Sequence, residues 1–531
     1  MAGVIVMSLT ASGCALSPGK VPGLVDNPAA RPLVVTTTAG PVRGVATPDG
    51  QAFLGVPFAA PPVGPLRFKP PAPPTPWVQP RDATRPGPGC LQPSIGKGQV
   101  SEDCLTLNVY APSDASSAQV RQRRPVPVMV WLYGGGFALG DNTQYDPSRL
   151  AQRQGVIVVA PNYRLGAFGF LAHPALKGDG EGAYALQDQQ AALRWVRDNI
   201  ARFGGDPANV TLFGESAGAW SVCYQLTAPG ARGLFHKAIL QSGSCTSPNS
   251  AIPLAEAEAG GARMAAKLGC DDPATAAACL RALPAERLRK AKAGRRGILG
   301  ADSWAPAYGT DALPAQPRAA FAAGRSAAVP VINGSNRDEG RLFLNLERLT
   351  GKVWTRAGYE KEIGAFFGAD APAILARYQP LAAASFGDAF AQIMTDGVFA
   401  CPARTLDRLL AARGPGSSAV WAYEFDDPHA PYALPRAPFS GPTRAFHSAE
   451  IAYVFQTRWA VSDPARWAPA QQALSERIQG HWGRFAASGD PGWPDVAKAG
   501  GPVRLAPDSA EGVAADFDEE HRCGFWRGIG Y

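Results

Sequence analysis

The residues best placed to do chemistry in this chain are Gly214-Glu215-Ser216-Ala217-Gly218, which follow the apolar run Val210-Thr-Leu-Phe213 where a strand should end and a helix begin. A sharp strand-to-helix turn would push Ser216 into strained backbone geometry and present its hydroxyl at the end of a sheet. Neighbours two positions away must then be tiny, and Gly flanks the serine on both sides. So short a pattern recurs by chance in a chain with 59 Gly, so the flanking strand and helix carry the reading. A serine hydroxyl is a poor nucleophile until a base takes its proton, so a histidine oriented by a carboxylate must exist elsewhere. The chemistry would be acyl transfer through a covalent intermediate.

In doubly wound hydrolases the partners follow in the order serine, acid, histidine. His236, His429, His447, His481 and His521 follow Ser216. His236 leaves no room for an intervening acid, and His481 falls inside a helical pattern with Leu474, Ile478, Trp482 and Phe485. His521 lies in a charged tail beside Cys523, and His429 follows a strand in a surface turn, Asp-Asp-Pro-His. His447, in a loop before an apolar helix start, is the expected base. The acid should lie on a loop after an intermediate strand. Val329-Pro-Val-Ile-Asn333, followed by Gly-Ser-Asn-Arg-Asp338-Glu339-Gly340, offers two carboxylates, and the pattern alone leaves both open. A tetrahedral intermediate also needs backbone N–H donors aimed at its oxygen. Ala217 offers one, and the run Gly134-Gly135-Gly136 can offer others because glycine lets the backbone approach closely.

The elements that must position these groups are legible as alternating apolar runs. Val126–Tyr133, Val156–Ala160 and Val210–Phe213 read as buried strands, and between the last two Leu186, Gln189, Leu193, Val196, Ile200 and Phe203 recur at helical spacing. Such alternation predicts βαβ units and a parallel sheet. Further strands are expected at Lys237–Gln241, Val329–Asn333 and Ala419–Phe425, with a helical insertion over 251–300. An N-terminal hairpin spans Val34 to Val45 around Gly40-Pro41, and the Pro-dense stretch from Pro57 to Pro93 should run extended over the surface.

With 46% apolar and 18% charged residues and a net charge of +7, disorder is excluded. Beyond the first 19 residues no uncharged apolar run is long enough for a membrane helix. Nine cysteines suit an exported chain that can hold disulfides. Small residues lead into Cys14 in Thr10-Ala-Ser-Gly-Cys14, as at a lipoprotein cleavage site, although Ala11 departs from that pattern and no basic segment precedes the apolar stretch. Residues 1–30 are therefore read as a signal or lipoprotein-like segment with linker, and 31–531 as one domain.

The chain resembles the type B carboxylesterase/lipase family, which includes cholinesterases. The likeness rests on the segments Phe53–Phe68, Glu102-Asp-Cys-Leu-Thr-Leu-Asn-Val-Tyr110, Trp131-Leu-Tyr-Gly-Gly-Gly-Phe137, Asn162-Tyr-Arg-Leu-Gly166 and Phe203-Gly-Gly-Asp-Pro207, on the Ser216 turn, on Gln241-Ser-Gly243, Asn336-Arg-Asp-Glu-Gly340 and the His447 loop, and on Phe485–Pro494. The resemblance implies an α/β-hydrolase fold, a mostly parallel twisted sheet flanked by helices with helical insertions over the active site. It implies Ser216 as nucleophile, Glu339 rather than Asp338 as acid, His447 as base, Gly135, Gly136 and Ala217 as oxyanion hole, and Glu215 and Glu450 as supporting carboxylates. It pairs Cys90 with Cys104, Cys270 with Cys279 and Cys401 with Cys523, leaving Cys223 and Cys245 as buried thiols. No metal or cofactor is implied.

The short loop between Cys90 and Cys104 carries no Trp or Tyr, so a choline-ester specialist is not expected. The chain ends soon after Cys523, so a monomer or weak dimer is expected. The implied partner is a small-molecule ester, with no nucleic acid, and with a membrane only through the Cys14 anchor. A lipase, a detoxifying esterase or a catalytically silent binding module are the other readings. The basic run Arg287, Arg289, Lys290, Lys292, Arg295 and Arg296 reads as a solvated face, or more sharply as an attractor of anions.

Overall fold

The computed structural model describes residues 30–531 except 48–49, 94–98, 114–123, 179–181, 293, 295–302, 414–418, 436–440 and 460. Cys14 and the N-terminal segment thus lie outside the described residues. Among those described, thirteen strands form one sheet. Its principal strands are β1 (Arg31–Thr36), β2 (Pro41–Thr47), β3 (Gly50–Pro57), β4 (Thr106–Ala111), β5 (Val126–Leu132), β6 (Ile157–Pro161), β7 (Gly205–Glu215), β8 (Lys237–Gln241), β9 (Val331–Asn336), β10 (Val420–Phe425), β11 (Val503–Leu505) and β12 (Gly512–Val513). Their spatial order is β1-β2-β3-β4-β6-β5-β7-β8-β9-β10-β11-β12, with the short strand Arg81–Asp82 beside β2.

The middle of the sheet, from β6 to β11, is parallel throughout, and antiparallel pairs flank it on both sides. The continuous apolar runs have their physical cause here. Every residue of β5, β6, β8, β9 and β10 is buried, because helices cover a parallel sheet on both faces and leave no side for polar alternation. The helix Tyr184–Asn199 carries the expected spacing and ends through a 3-10 turn at Gly204, whose φ of 89° is the left-handed stop. It packs with the helix Ala217–Thr227 against β7. A third helix, Pro469–Ser488, packs on β5 and β7 and sends the Trp482 indole N–H to Gln241 Oε1 at 3.0 Å.

The strand expected at Val329–Asn333 begins instead at Val331 and runs to Asn336. Pro330 has no N–H for the ladder, so it lies outside the strand, although its carbonyl accepts from Ala238 N–H. The insertion over 251–300 holds the helices Leu254–Lys267, Ala276–Ala282 and Ala285–Arg289. Arg67 pins it: its guanidinium pairs with Glu102 at 2.5 Å and donates to the carbonyls of Arg281 and Leu283 at 2.8 and 2.7 Å. On its surface Arg289 and Lys290 pair with Glu286, while Arg295 and Arg296 lie outside the described residues. A second apolar cluster, reaching from Phe343 to Tyr531, is built by the helices Gly340–Leu349, Arg356–Phe367 and Phe386–Met394 and by the C-terminal helix Cys523–Gly528.

Disulfides join Cys90 to Cys104, Cys270 to Cys279 and Cys401 to Cys523, as the resemblance implies. Cys223 and Cys245 are not thiols: they form a fourth disulfide. The loop leaving β8 folds back over the helix Ala217–Thr227, which brings the two Cα atoms to 5.7 Å, within bridging range. His521 also differs from expectation. It is buried between Asp396 and Glu424, with Nδ1 and Nε2 at 2.8 and 2.9 Å from their carboxylates. Among the described residues, no helix is long and apolar enough to cross a membrane.

Candidate active site

Ser216 stands between β7 and the helix Ala217–Thr227 with φ 55° and ψ −122°, the strained conformation expected of a sharp strand-to-helix turn. Its flanking glycines are obligatory. A Cβ on Gly218 would lie 1.9 Å from the Leu132 carbonyl oxygen, and one on Gly214 would lie 2.6 Å from the same atom. Phe137, Ser242, Arg444 and Ser448, with φ of 60°, 55°, 51° and 71°, add left-handed backbone on the loops that meet here.

The structure brings His447 against Glu339. Imidazole Nδ1 lies 2.6 Å from Glu339 Oε2, while Oε1 of the same carboxylate accepts the Asn336 amide at 2.8 Å. The His447 amide donates back to the Glu339 carbonyl at 3.2 Å, which fixes the two loops in register. Asp338 faces elsewhere, toward Arg444 at 3.5 Å. Gly340, directly after Glu339, donates to Thr395 Oγ1 at 3.0 Å and has no room for a Cβ, which would lie 1.9 Å from the Ala391 carbonyl oxygen. The other ring nitrogen, Nε2, lies 3.1 Å from Glu215 Oε1, which also accepts from Ser448 Oγ. Behind them Glu450 accepts from Asn336 Nδ2 at 2.6 Å and from Gln241 Nε2 at 3.2 Å. Phe343 and Phe399 pack their rings on the imidazole at 5.1 and 4.7 Å.

Three buried carboxylates around one buried imidazole set the electrostatics. Burial pushes Glu215 up to about 8, reinforced by the charges of Glu450 and Glu339 and opposed by that of His447. Burial likewise raises Glu450 to about 7, with the Glu339 charge adding to it. For His447 burial acts against the charged ring, but the charges of Glu215 and Glu339 and the Glu339 hydrogen bond outweigh it and carry the group to about 9. The imidazole is thus built to hold a proton strongly once it has taken one.

Ser216, Glu215 and His447 open on one cavity of about 850 Å³. Gly135 and Gly136 line it beside Ser216, with φ of 112° and 62° that permit their amides to turn inward. The amides of Gly135, Gly136 and Ala217 donate to no acceptor among the described residues. The remaining walls are mainly apolar, with Trp220, Trp304, Trp459 and Phe367 among them. Of the other histidines, His481 hydrogen-bonds Pro491 O and Glu511 within its helix packing, and His429 sits on an exposed turn. Asn336 and Gln241 belong to segments that carry the family resemblance, but nothing in the pattern marked them as the hydrogen-bond donors that hold Glu450. No periodicity foretold Phe399, Phe343 or Tyr531, which come from segments far apart in the chain. Among the described residues no cluster of His, Cys, Asp or Glu is arranged to hold a metal ion.

The family model described as the carboxylesterase family matches residues 31–499. The chain is 35% identical to para-nitrobenzyl esterase of Bacillus subtilis (strain 168) over 485 residues, 87% of this chain and 92% of that protein. It is 39% identical to fumonisin B1 esterase of Sphingopyxis macrogoltabida over 441 residues, 80% of this chain and 75% of that protein. It is 34% identical to carboxylesterase 5A of Felis catus over 507 residues, 88% of each. A solved structure of PNB esterase superposes with a TM-score of 0.76 at 33% identity, covering 92% of this chain and 99% of that one.

Proposed function

The chain belongs to the carboxylesterase family and is a carboxylic-ester hydrolase with the α/β-hydrolase fold, and on that premise we propose that it cleaves esters through an acyl-enzyme formed on Ser216. His447 Nε2 takes the Ser216 proton as Oγ attacks the ester carbonyl carbon. The carbonyl oxygen becomes an anion held by the N–H groups of Gly135, Gly136 and Ala217, donors of a kind each worth about 100- to 1000-fold in rate. The tetrahedral species collapses, the C–O bond to the alcohol breaks, and His447 delivers the proton to the leaving oxygen. Water then repeats the sequence: His447 takes its proton as the water oxygen bonds to the acyl carbon, the acyl–Oγ bond breaks, His447 returns the proton to Oγ, and the acid departs with Ser216 restored. Glu339 keeps Nδ1 protonated and stabilises the imidazolium in each half-reaction. Glu215 and Glu450 support the ring from its other side and from behind.

One observation carries this reading: a strained serine shares one cavity with a histidine that a buried glutamate holds from behind, beside three amides with no acceptor among the described residues. Four disulfides belong to an oxidising compartment. Export of a single domain over 31–531, with Cys14 as a lipid anchor, completes the proposal. The test is a panel of nitrophenyl esters run on the native protein and on Ser216→Ala. Loss of at least about 10⁴-fold in kcat with retained folding is expected. Undiminished turnover by the variant would refute the mechanism.

A further inference from the structure

One wall of the cavity belongs to the second apolar cluster and has no role in bond making, yet the fold ties it down at several points. After the helix Phe386–Met394 the backbone widens into a π-helical turn, Thr395–Ala400, a geometry frequent at functional sites. Its middle residues Gly397 and Val398 line the cavity, and the next residue, Phe399, packs on His447. Behind Gly397 stands Trp526, so close that a Cβ there would lie 2.3 Å from the indole. Beyond Trp526, Tyr531 turns back into the same cavity, 3% exposed, its ring against Trp526 at 5.2 Å and Phe367 at 5.8 Å. Its amide donates to the Trp526 carbonyl at 2.9 Å and its carbonyl accepts from Thr405 Oγ1 at 3.2 Å, so the backbone under the ring is held at both ends.

The segment that carries this ring is tied at three points to the π-helical turn and the residue that follows it. His521 bonds Asp396 at 2.8 Å, Trp526 fills the space over Gly397, and Cys523 is joined to Cys401. A side chain needed only for packing could be replaced by any apolar group of similar size. This one is a rigid ring, anchored through its own backbone, in a residue that lines the space in which an ester must lie.

We propose that Tyr531 is a specificity-determining residue: its ring closes one end of the active-site cavity and sets the length of the apolar chain that an ester can place there. This rests on Ser216 being the nucleophile that opens on that cavity. The preferred substrates are accordingly esters whose group on this side is short, and longer chains are refused by a fixed wall rather than by charge. Each methylene accommodated or refused in an apolar pocket changes discrimination by about 10- to 200-fold at most, so removing the wall should be visible in kinetics.

The experiment measures kcat/KM for nitrophenyl butyrate and nitrophenyl dodecanoate on the full chain. Tyr531→Ala is expected to raise the dodecanoate-to-butyrate ratio at least about 10-fold, Tyr531→Phe to restore the native ratio, and Tyr531→Trp to lower it. An unchanged ratio in a folded Tyr531→Ala protein overturns the proposal. If that variant does not fold, Tyr531→Trp decides: a lowered ratio supports the wall, and an unchanged one overturns it. Ser216→Ala, run alongside, separates the two readings. Undiminished butyrate hydrolysis there would remove the mechanism, whereas a Ser216→Ala protein slowed at least about 10⁴-fold with an unmoved Tyr531 ratio removes only this inference.

Discussion

At the scale of single residues, the site depends on which carboxylate meets which ring nitrogen. Glu339 and Asp338 are adjacent in sequence, but only Glu339 reaches His447, at 2.6 Å. Glu339→Gln is therefore expected to lower kcat by about 10³- to 10⁴-fold through a misassigned tautomer, while Asp338→Asn should stay within about 10-fold of the native rate. Parallel steady-state kinetics decides, and equal losses would remove Glu339 from its role. Proton affinity gives a second prediction. Glu215 is the nearest anion to His447 Nε2, and its charge helps to hold the imidazole at about 9. Glu215→Gln takes that charge away, so the imidazolium loses stabilisation and the rising limb of kcat/KM against pH must move to lower pH. The same groups act on stability. Both have folded-state values above their ordinary ones, about 8 against 4.5 for Glu215 and about 9 against 6.5 for His447. The native state binds these protons more tightly than the unfolded chain, so their contribution is greatest at low pH and is lost as pH rises from about 5 to about 9. Relative to Glu215→Gln, the native protein should lose Tm across that window, and parallel Tm curves would contradict the assignment.

At the scale of elements, the strand-to-helix turn at Ser216 is a packing problem solved by absence of side chain. Gly218→Ala would set a methyl 1.9 Å from the Leu132 carbonyl oxygen, and β5 cannot yield without disrupting its neighbours. A stability loss of about 3 kcal/mol or more is expected by urea unfolding. Gly480→Ala, in the helix Pro469–Ser488 with nothing within 4 Å of its new methyl, is the contrasting case and should gain about 0.5–1 kcal/mol. If both substitutions cost the same, sterics at the turn are not what the glycine serves. The π-helical turn has the same character. It admits Trp526 only because residue 397 is glycine, and it thereby joins the C-terminal segment to the cavity wall.

At the scale of the whole molecule, the disulfides divide their work by loop length. Cys401–Cys523 closes a separation of 122 residues, Cys223–Cys245 one of 22 and Cys270–Cys279 one of 9. Loop-closure entropy in the unfolded chain predicts contributions of about 5, 3 and 2.5 kcal/mol respectively. Paired Cys→Ala variants followed by urea unfolding should reproduce that order. An inverted order would mean that native packing rather than chain entropy governs. Cys223–Cys245 has a local consequence too, since it fastens the helix behind Ser216 to the loop leaving β8, and so stiffens the turn on which the proposed nucleophile sits.

The sequence by itself determined the parallel sheet and the place of Ser216 at the strand-to-helix turn within it, and it singled out the residues proposed as its partners. Those features are written in local patterns: uninterrupted apolar runs for strands buried on both faces, a 3.6-residue recurrence for the helix, and glycine wherever backbone meets backbone. The residues alone left Asp338 and Glu339 equal; the family resemblance favoured Glu339, and the fold turned that carboxylate to His447 across 108 residues of separation. Two cysteines expected as thiols became a disulfide, and a histidine expected in a charged tail became a buried ion-pair partner of Asp396 and Glu424. Tyr531 entered the cavity wall with no motif to announce it. Each of these outcomes turns on how closely segments distant in the chain approach and in what orientation, and that is set by packing of the assembled core rather than by any periodicity along the chain.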